Sequence, residues 1–216
     1  MKKELKSLLT REKLLAAAMD EFSSKGDGGA SVNDICKSSG VPKGNLYHNF
    51  SSKEALYLAC VEETFTELTQ EMQAKLSEES VTPEAYFRIR VSFFQAHPAE
   101  AGIFCGAVLF PPMELQKEIE ACRAGFDAFN REILQKLIGD RKLRKGLSEG
   151  MVEDVFRQLQ NGLNADFRNK KAGDSHDKLI AHELACQTAL SVFLYGILDA
   201  GGNATDLCDL PTSLNH

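Results

Sequence analysis

Lys43, Asn45, Tyr47 and His48 lie in one short stretch, directly after the turn Gly40-Val41-Pro42. Their side chains suit contact with nucleic acid. A lysine ammonium reaches a phosphate oxygen or a guanine edge, and an asparagine amide both donates to and accepts from a base. Tyrosine and histidine bond phosphate oxygens or stack on sugars and thymine methyl groups. Gly44 has no Cβ and lets a helix start approach a backbone closely. Lys53 sits at a later helix start, where free amides favour an anion.

These residues need a scaffold that buries one face and presents the other. Leu8, Leu15, Ala18 and Phe22 form an apolar stripe on a first helix, expected to end near Gly26, with Asp27-Gly28-Gly29 as a loop. Ser31 opens a second helix with Asp34 in its first turn, and Gly40 breaks it. Pro42 suits the first position of a third helix. Ile35, Val41, Leu46 and Phe50 are its apolar partners and can close over the first helix. Ser51-Ser52-Lys53-Glu54 resembles a capping box for a long fourth helix carrying Val61, Phe65, Leu68, Met72 and Leu76. Two short helices around a glycine turn outline a helix-turn-helix, which places its second helix in the DNA major groove.

Charge follows the same division. Residues 1–57 carry 9 Lys+Arg and 7 Asp+Glu, whereas residues 58–216 carry 16 and 24, within a total of −6 over 216 residues. An acidic total excludes a wholly basic nucleic-acid binder and leaves only the N-terminal part without acidic excess. The basic start is interrupted by Glu4 and Glu12, so no leader is expected, and the uncharged run 101–113 is too short to span a bilayer. Six cysteines (36, 60, 105, 122, 186 and 208) show no CxxC pair and read as reduced thiols in a cytoplasmic protein. No catalytic signature is present: there is no nucleophile elbow, glycine-rich phosphate loop or HExxH. No enzyme activity, cofactor or metal is expected.

The remaining elements are all helical by period. A fifth helix follows Thr82-Pro83 and ends at His97-Pro98, and a short apolar helix covers 99–110. Apolar residues from Leu115 to Leu137 recur at spacings of 3 and 4, as one segment closed by Gly146. Ser148 starts a helix with Val152, Val155, Leu159, Leu163 and Phe167. After the polar loop from Asn169 to Ser175, a last helix runs from His176 to Asp199, before Gly201-Gly202. The fold class is all-α, with a helix-turn-helix domain over 1–51 and a larger helical domain over 52–216.

Residues 10–57 resemble the N-terminal domain of the tetracycline-repressor (TetR) family. The matching pieces are Thr10-Arg11, Leu14, Ala17-Ala18, Phe22 and Gly26; Ser31-Val32 and Asp34-Ile35; Gly40-Val41, Lys43-Gly44, Leu46-Tyr47 and Phe50; and Ser52-Lys53-Glu54 with Leu56. One departure is the Asp27-Gly28-Gly29 segment, where the family usually places an aromatic; a looser loop is expected there. The resemblance implies a dimeric, ligand-responsive repressor that binds an approximately palindromic operator in double-stranded DNA. It implies DNA contacts from Thr10, Ser31, Lys43, Gly44, Asn45, Tyr47, His48 and Lys53. It also implies an effector pocket in the C-terminal domain and a homodimer through the last two helices.

Eight of the 13 phenylalanines fall between residues 58 and 130, which suits a flat hydrophobic or aromatic effector as well as ordinary core packing. The candidates for pocket lining are Phe65, Phe93, His97, Phe104, Phe110 and Phe126. Cys105 is a candidate thiol sensor or a buried structural cysteine. His182 and Cys186 share a helix face, with His176 upstream, as soft-metal ligands or an incidental pair. The final helix is apolar on two sides: Leu179, Cys186, Leu190, Phe193 and Ile197, against Leu184, Ala189 and Val192. This suits burial on its own subunit and on a partner, with Ala185, Ala189 and Gly196 permitting close approach. A thiol- or metal-responsive regulator, and a helical interaction module that does not bind DNA, are the other readings.

Overall fold

The computed structural model describes residues 2–169 and 175–197. Of the expected loop from Asn169 to Ser175, residues 170–174 lie outside the described residues and its two end residues are helical; the Gly201-Gly202 stop, Cys208 and the side chains of Phe167, His176 and Ile197 also lie outside them. Among the described residues there are ten α-helices and no strand. They are α1 (Lys2–Gly29), α2 (Val32–Ser39), α3 (Lys43–Asn49), α4 (Lys53–Leu76), α5 (Pro83–Ala96), α6 (Pro98–Leu109), α7 (Gln116–Cys122), α8 (Ala124–Ile138), α9 (Glu149–Asn169) and α10 (Ser175–Ile197), with a 3-10 turn at Met113–Leu115. None of the described helices is long and apolar enough to cross a membrane.

Capping sets most boundaries. Ser31 Oγ accepts from Asp34 N at 3.4 Å, Ser52 Oγ from Ala55 N at 3.1 Å and Thr82 Oγ1 from Ala85 N at 3.1 Å. Gly40 ends α2 in the left-handed conformation, φ 66°, which a side chain would strain. The chain can therefore turn at once into Val41-Pro42 and α3. Pro42 is the N-cap of α3, one residue before its expected place inside the helix.

Four expectations are corrected. The first helix does not stop at Gly26: the backbone breaks there (φ 68°, ψ 173°) and resumes helically to Gly29. The segment is also not loose, because Lys53 Nζ, at the start of α4, donates to the Asp27 carbonyl at 2.6 Å. The segment from Leu115 to Leu137 is two helices, divided at Arg123, which caps both and bonds Asp127 at 2.9 Å. Cys122 and Phe126 straddle that break four residues apart, so apolar spacing alone runs through it. Finally, α8 stops at Gly139, not Gly146; Arg141 donates to the carbonyls of Leu137 and Ile138, satisfying the helix end.

One continuous apolar core runs from Leu14 on α1 to Leu194 on α10. Within it α1, α2 and α3 close over Leu14, Ala18, Phe22, Ile35, Leu46 and Phe50. Helix α4 continues that core into the larger body through Leu56, Val61, Phe65 and Leu68. Helix α6 lies along α1, so the two parts meet at two helices rather than through α4 alone.

Candidate DNA-binding face and inner cavity

Helix α3 is two-sided. Leu46 is fully buried and Phe50 nearly so, while Lys43, Gly44, Asn45, Tyr47 and His48 are exposed on the other side. Tyr47 keeps 46% of its surface despite its apolar ring. Lys43 Nζ reaches only the Asn33 side chain, at 3.3 Å. A Cβ added at Gly44 would meet nothing within 4 Å, so no packing inside the chain demands glycine there. Arg11 stacks over the Phe50 ring at 4.4 Å and ties α1 to the end of α3.

The other DNA-contact candidates are placed differently. Thr10 is half-buried on α1. Ser31 is a helix cap whose own N–H donates to Glu21 Oε1 at 3.0 Å. Lys53 is held at Asp27, so its ammonium stabilises the turn before α2 rather than standing out in solvent. Its partner could not be foreseen from spacing, since Asp27 lies 26 positions away.

A cavity of about 50 Å³ lies between α5, α6, α8, α9 and α10. Phe104 and Phe126 line it, with Phe87, Ile133, Phe156 and Leu190. Phe65 stands behind these two rings, at 5.5 Å from each, and packs α4 against the cavity wall. Phe93 and His97 lie outside the lining and stack on one another at 4.6 Å. His97 faces Glu71 at 3.8 Å and joins Glu67 and Glu100 in a half-buried cluster. Phe110 is 45% exposed and borders a different hollow, beside α1 and Tyr57. Helix ends explain these departures: His97 and Phe110 terminate α5 and α6 and point away from the space those helices enclose.

The residues that sequence reasoning missed are polar. Arg90 is buried in the cavity wall, with its guanidinium 5.3–5.7 Å from the rings of Tyr86, Phe87, Phe104 and Phe126. Arg90 Nη2 donates to Glu183 Oε1 at 2.9 Å and Nη1 to the Tyr86 hydroxyl at 3.1 Å. That hydroxyl donates to Asn130 Oδ1 at 2.6 Å. Burial is the largest single influence on the Arg90 pKa and acts to lower it, but Glu183, Tyr86 and Cys186 together outweigh it and the net shift is upward, so the guanidinium stays charged. Arg90 was legible only as a cation inside an otherwise apolar helical stripe.

His182 is buried, with Nε2 2.8 Å from Asn164 Oδ1 and 3.5 Å from Cys186 Sγ. Burial, with the nearby Glu183, pushes the Cys186 thiol up to about 12, and burial also raises Cys105. Both thiols are thus held protonated at neutral pH, contrary to what a reactive thiolate sensor needs.

These features define an all-α protein in which a helix-turn-helix unit is packed onto a larger helical body. Residues 14–60 match the model for bacterial regulatory proteins of the tetR family. Over these residues the chain is similar to the family's N-terminal domain. It is 48% identical over 52 residues to the HTH-type transcriptional regulator UidR of Escherichia coli, covering 24% of this chain and 26% of UidR. It is 31% identical over 103 residues to the regulator RutR of the same organism, covering 46% of this chain and 48% of RutR. The chain thus spans about a quarter of one relative and half of the other. At the level of fold the likeness extends further. FadR from Bacillus subtilis, solved with stearoyl-CoA, superposes with a TM-score of 0.62 at 18% identity, over 86% of this chain and 98% of FadR. SmeT, the repressor of a Stenotrophomonas maltophilia multidrug efflux pump, gives 0.61 at 17% identity, over 88% and 91%.

Proposed function

We propose that this protein is a sequence-specific transcriptional regulator that represses its target genes from an approximately palindromic operator. It acts in the cytoplasm and has no enzymatic activity. Residues 1–51 form the DNA-binding domain and residues 52–216 the effector-binding and dimerisation domain. The observation that carries this reading is the exposed row Lys43, Asn45, Tyr47 and His48, set on a helix whose other side is locked by Leu46 and Phe50. With a second subunit, two such helices would enter successive major grooves, one helical turn apart.

The dimer forms through α9 and α10. Met151 and Val155 of α9, and Leu184, Val192 and Tyr195 of α10, are each at least half exposed, while Leu179, Leu190 and Leu194 face the core. A helix apolar on both sides fits burial between subunits. The effector is a small, largely apolar molecule bound at the cavity between α5 and α10. It favours a state whose recognition helices no longer match the groove spacing, through its unequal affinity for the two states. FadR, which shares this fold and was solved in complex with stearoyl-CoA, supports this only in that such a fold can take a ligand.

The test is binding of the protein to DNA from its own upstream region. Affinity should fall steeply with salt, as counterion release requires, and be confined to a short symmetric site. Retention of no genomic fragment would favour the interaction-module reading instead.

A further inference from the structure

Arg90 is the least expected group in the cavity. A guanidinium loses its hydration when buried, and well-packed apolar residues of similar size commonly stabilise a fold as well as a buried ion pair does. Core stability therefore does not account for an arginine only 5% exposed among four aromatic rings.

The hydrogen-bond inventory shows what this wall offers. Arg90 carries five N–H donors. Glu183 takes one through a single oxygen and Tyr86 takes another, while Arg90 Nε has no partner. The Tyr86 hydroxyl accepts from Arg90, so its one proton goes to Asn130 Oδ1. That bond fixes the Asn130 amide and leaves its NH2 as the group it can still present. Among the described residues, no aspartate or glutamate lines the cavity, whereas Arg90 and Arg123 both do. The lining thus carries two guanidinium groups and no carboxylate; Glu183, which bonds Arg90 through Oε1 and whose Oε2 has no partner, is outside it. At about 50 Å³ the space takes roughly three to five water-sized groups, enough for an acid group and the start of its carbon chain.

We propose that the cavity takes an organic carboxylate, its acid group held by Arg90 and the Asn130 amide and its carbon body set among Phe87, Phe104 and Phe126. This rests on the reading of the cavity as the effector site. The unpaired Nε–H edge of the guanidinium matches the planar acceptor pair of a carboxylate. Longer carbon bodies enter by displacing Phe156 and Gln160 of α9, which also line the cavity.

The test uses the full-length protein and four acids: benzoate, 3-phenylpropionate, octanoate and decanoate. Each is titrated by calorimetry beside its primary amide, which keeps the shape and removes the charge. The expected result is that at least one acid binds, and that its amide binds about 10- to 100-fold more weakly, the range for a lost charge-assisted hydrogen bond. The double substitution Arg90→Met with Glu183→Leu removes both charges together and leaves no lone buried ion; in it acid and amide bind alike. Arg90→Lys keeps the charge but drops the Nε–H edge, and should weaken acid binding several-fold in the folded protein. Binding by none of the acids, equal binding of acid and amide to the native protein, or an undiminished acid preference in both variants overturns the proposal. DNA retention, measured without added acid, reports on the regulator reading separately, so either idea can fail alone.

Discussion

Gly102 of α6 lies directly against Ser23 of α1: a Cβ at Gly102 would come within 2.7 Å of the Ser23 Cβ and 2.9 Å of its carbonyl oxygen. Two residues further on, Phe104 lines the inner cavity. One short helix therefore touches the cavity and the DNA-binding domain at once.

Gly102→Ala should separate α1 from α6, because the contact is with backbone and cannot be relieved by rotating a side chain. Overpacking of this kind costs about 1–3 kcal/mol. Chemical denaturation should show that loss, and DNA affinity should fall as α1 shifts. Unchanged stability and affinity would mean the helices slide apart at no cost.

Tyr47→Ala and Lys43→Ala should each weaken operator binding while leaving the melting temperature within a degree or two of native. Both side chains stand in solvent, and exposed sites of this sort change stability by about 0.5 kcal/mol or less. Loss of Lys43 as a phosphate contact should also reduce the log–log salt slope by about 1. Gel-shift titrations at several salt concentrations measure both effects; wild-type affinity in both variants places the DNA face elsewhere.

Tyr86→Phe removes the link between Arg90 and Asn130 and leaves their facing atoms without partners. Buried groups orphaned in this way cost about 1–3 kcal/mol. Thermal denaturation should register the loss even though the ring packing against Phe87, at 4.9 Å, is retained. A neutral result would show that water replaces the hydroxyl.

Alkaline stability should depend on Cys60. Burial, with Glu63 nearby, pushes this thiol up to about 12 from an ordinary value of 9.0. A pKa raised on folding contributes stability that is fully present below pH 9 and is lost as pH climbs toward 12, because the unfolded chain releases its proton first. Cys60→Ala should flatten the fall in unfolding free energy across that window. An identical slope in the variant would assign the alkaline loss to other groups, such as Tyr57, whose pKa burial also raises.

Local signals made much of this legible in advance. Ser31, Ser52 and Thr82 announced helix starts through cap chemistry that acts over three residues. Gly40 announced a turn that its φ of 66° bears out. The two-sided α3 followed from the alternation of Leu46 and Phe50 with Lys43 and Tyr47. Long-range pairings were hidden. The bond from Lys53 to Asp27 joins positions too far apart for local patterns to show. The aromatic count pointed to an enclosed apolar space, but choosing its lining required the phase of each helix end. Phe104 and Phe126 turn inward, whereas Phe110, at the end of α6, does not. The break at Arg123 was invisible because both sides of it keep the same apolar face.

Arg90 and Glu183 lie 93 positions apart, so the cavity closes only when α10 returns to α5. Contacts within α1–α4 are far more local and carry a smaller loop-closure entropy. On a chain emerging from the ribosome, α1–α4 can therefore begin to pack before α10 has closed the cavity. Each new molecule should pass through an interval in which α3 is shaped but α9 and α10, the helices proposed to pair two subunits, are not yet in place.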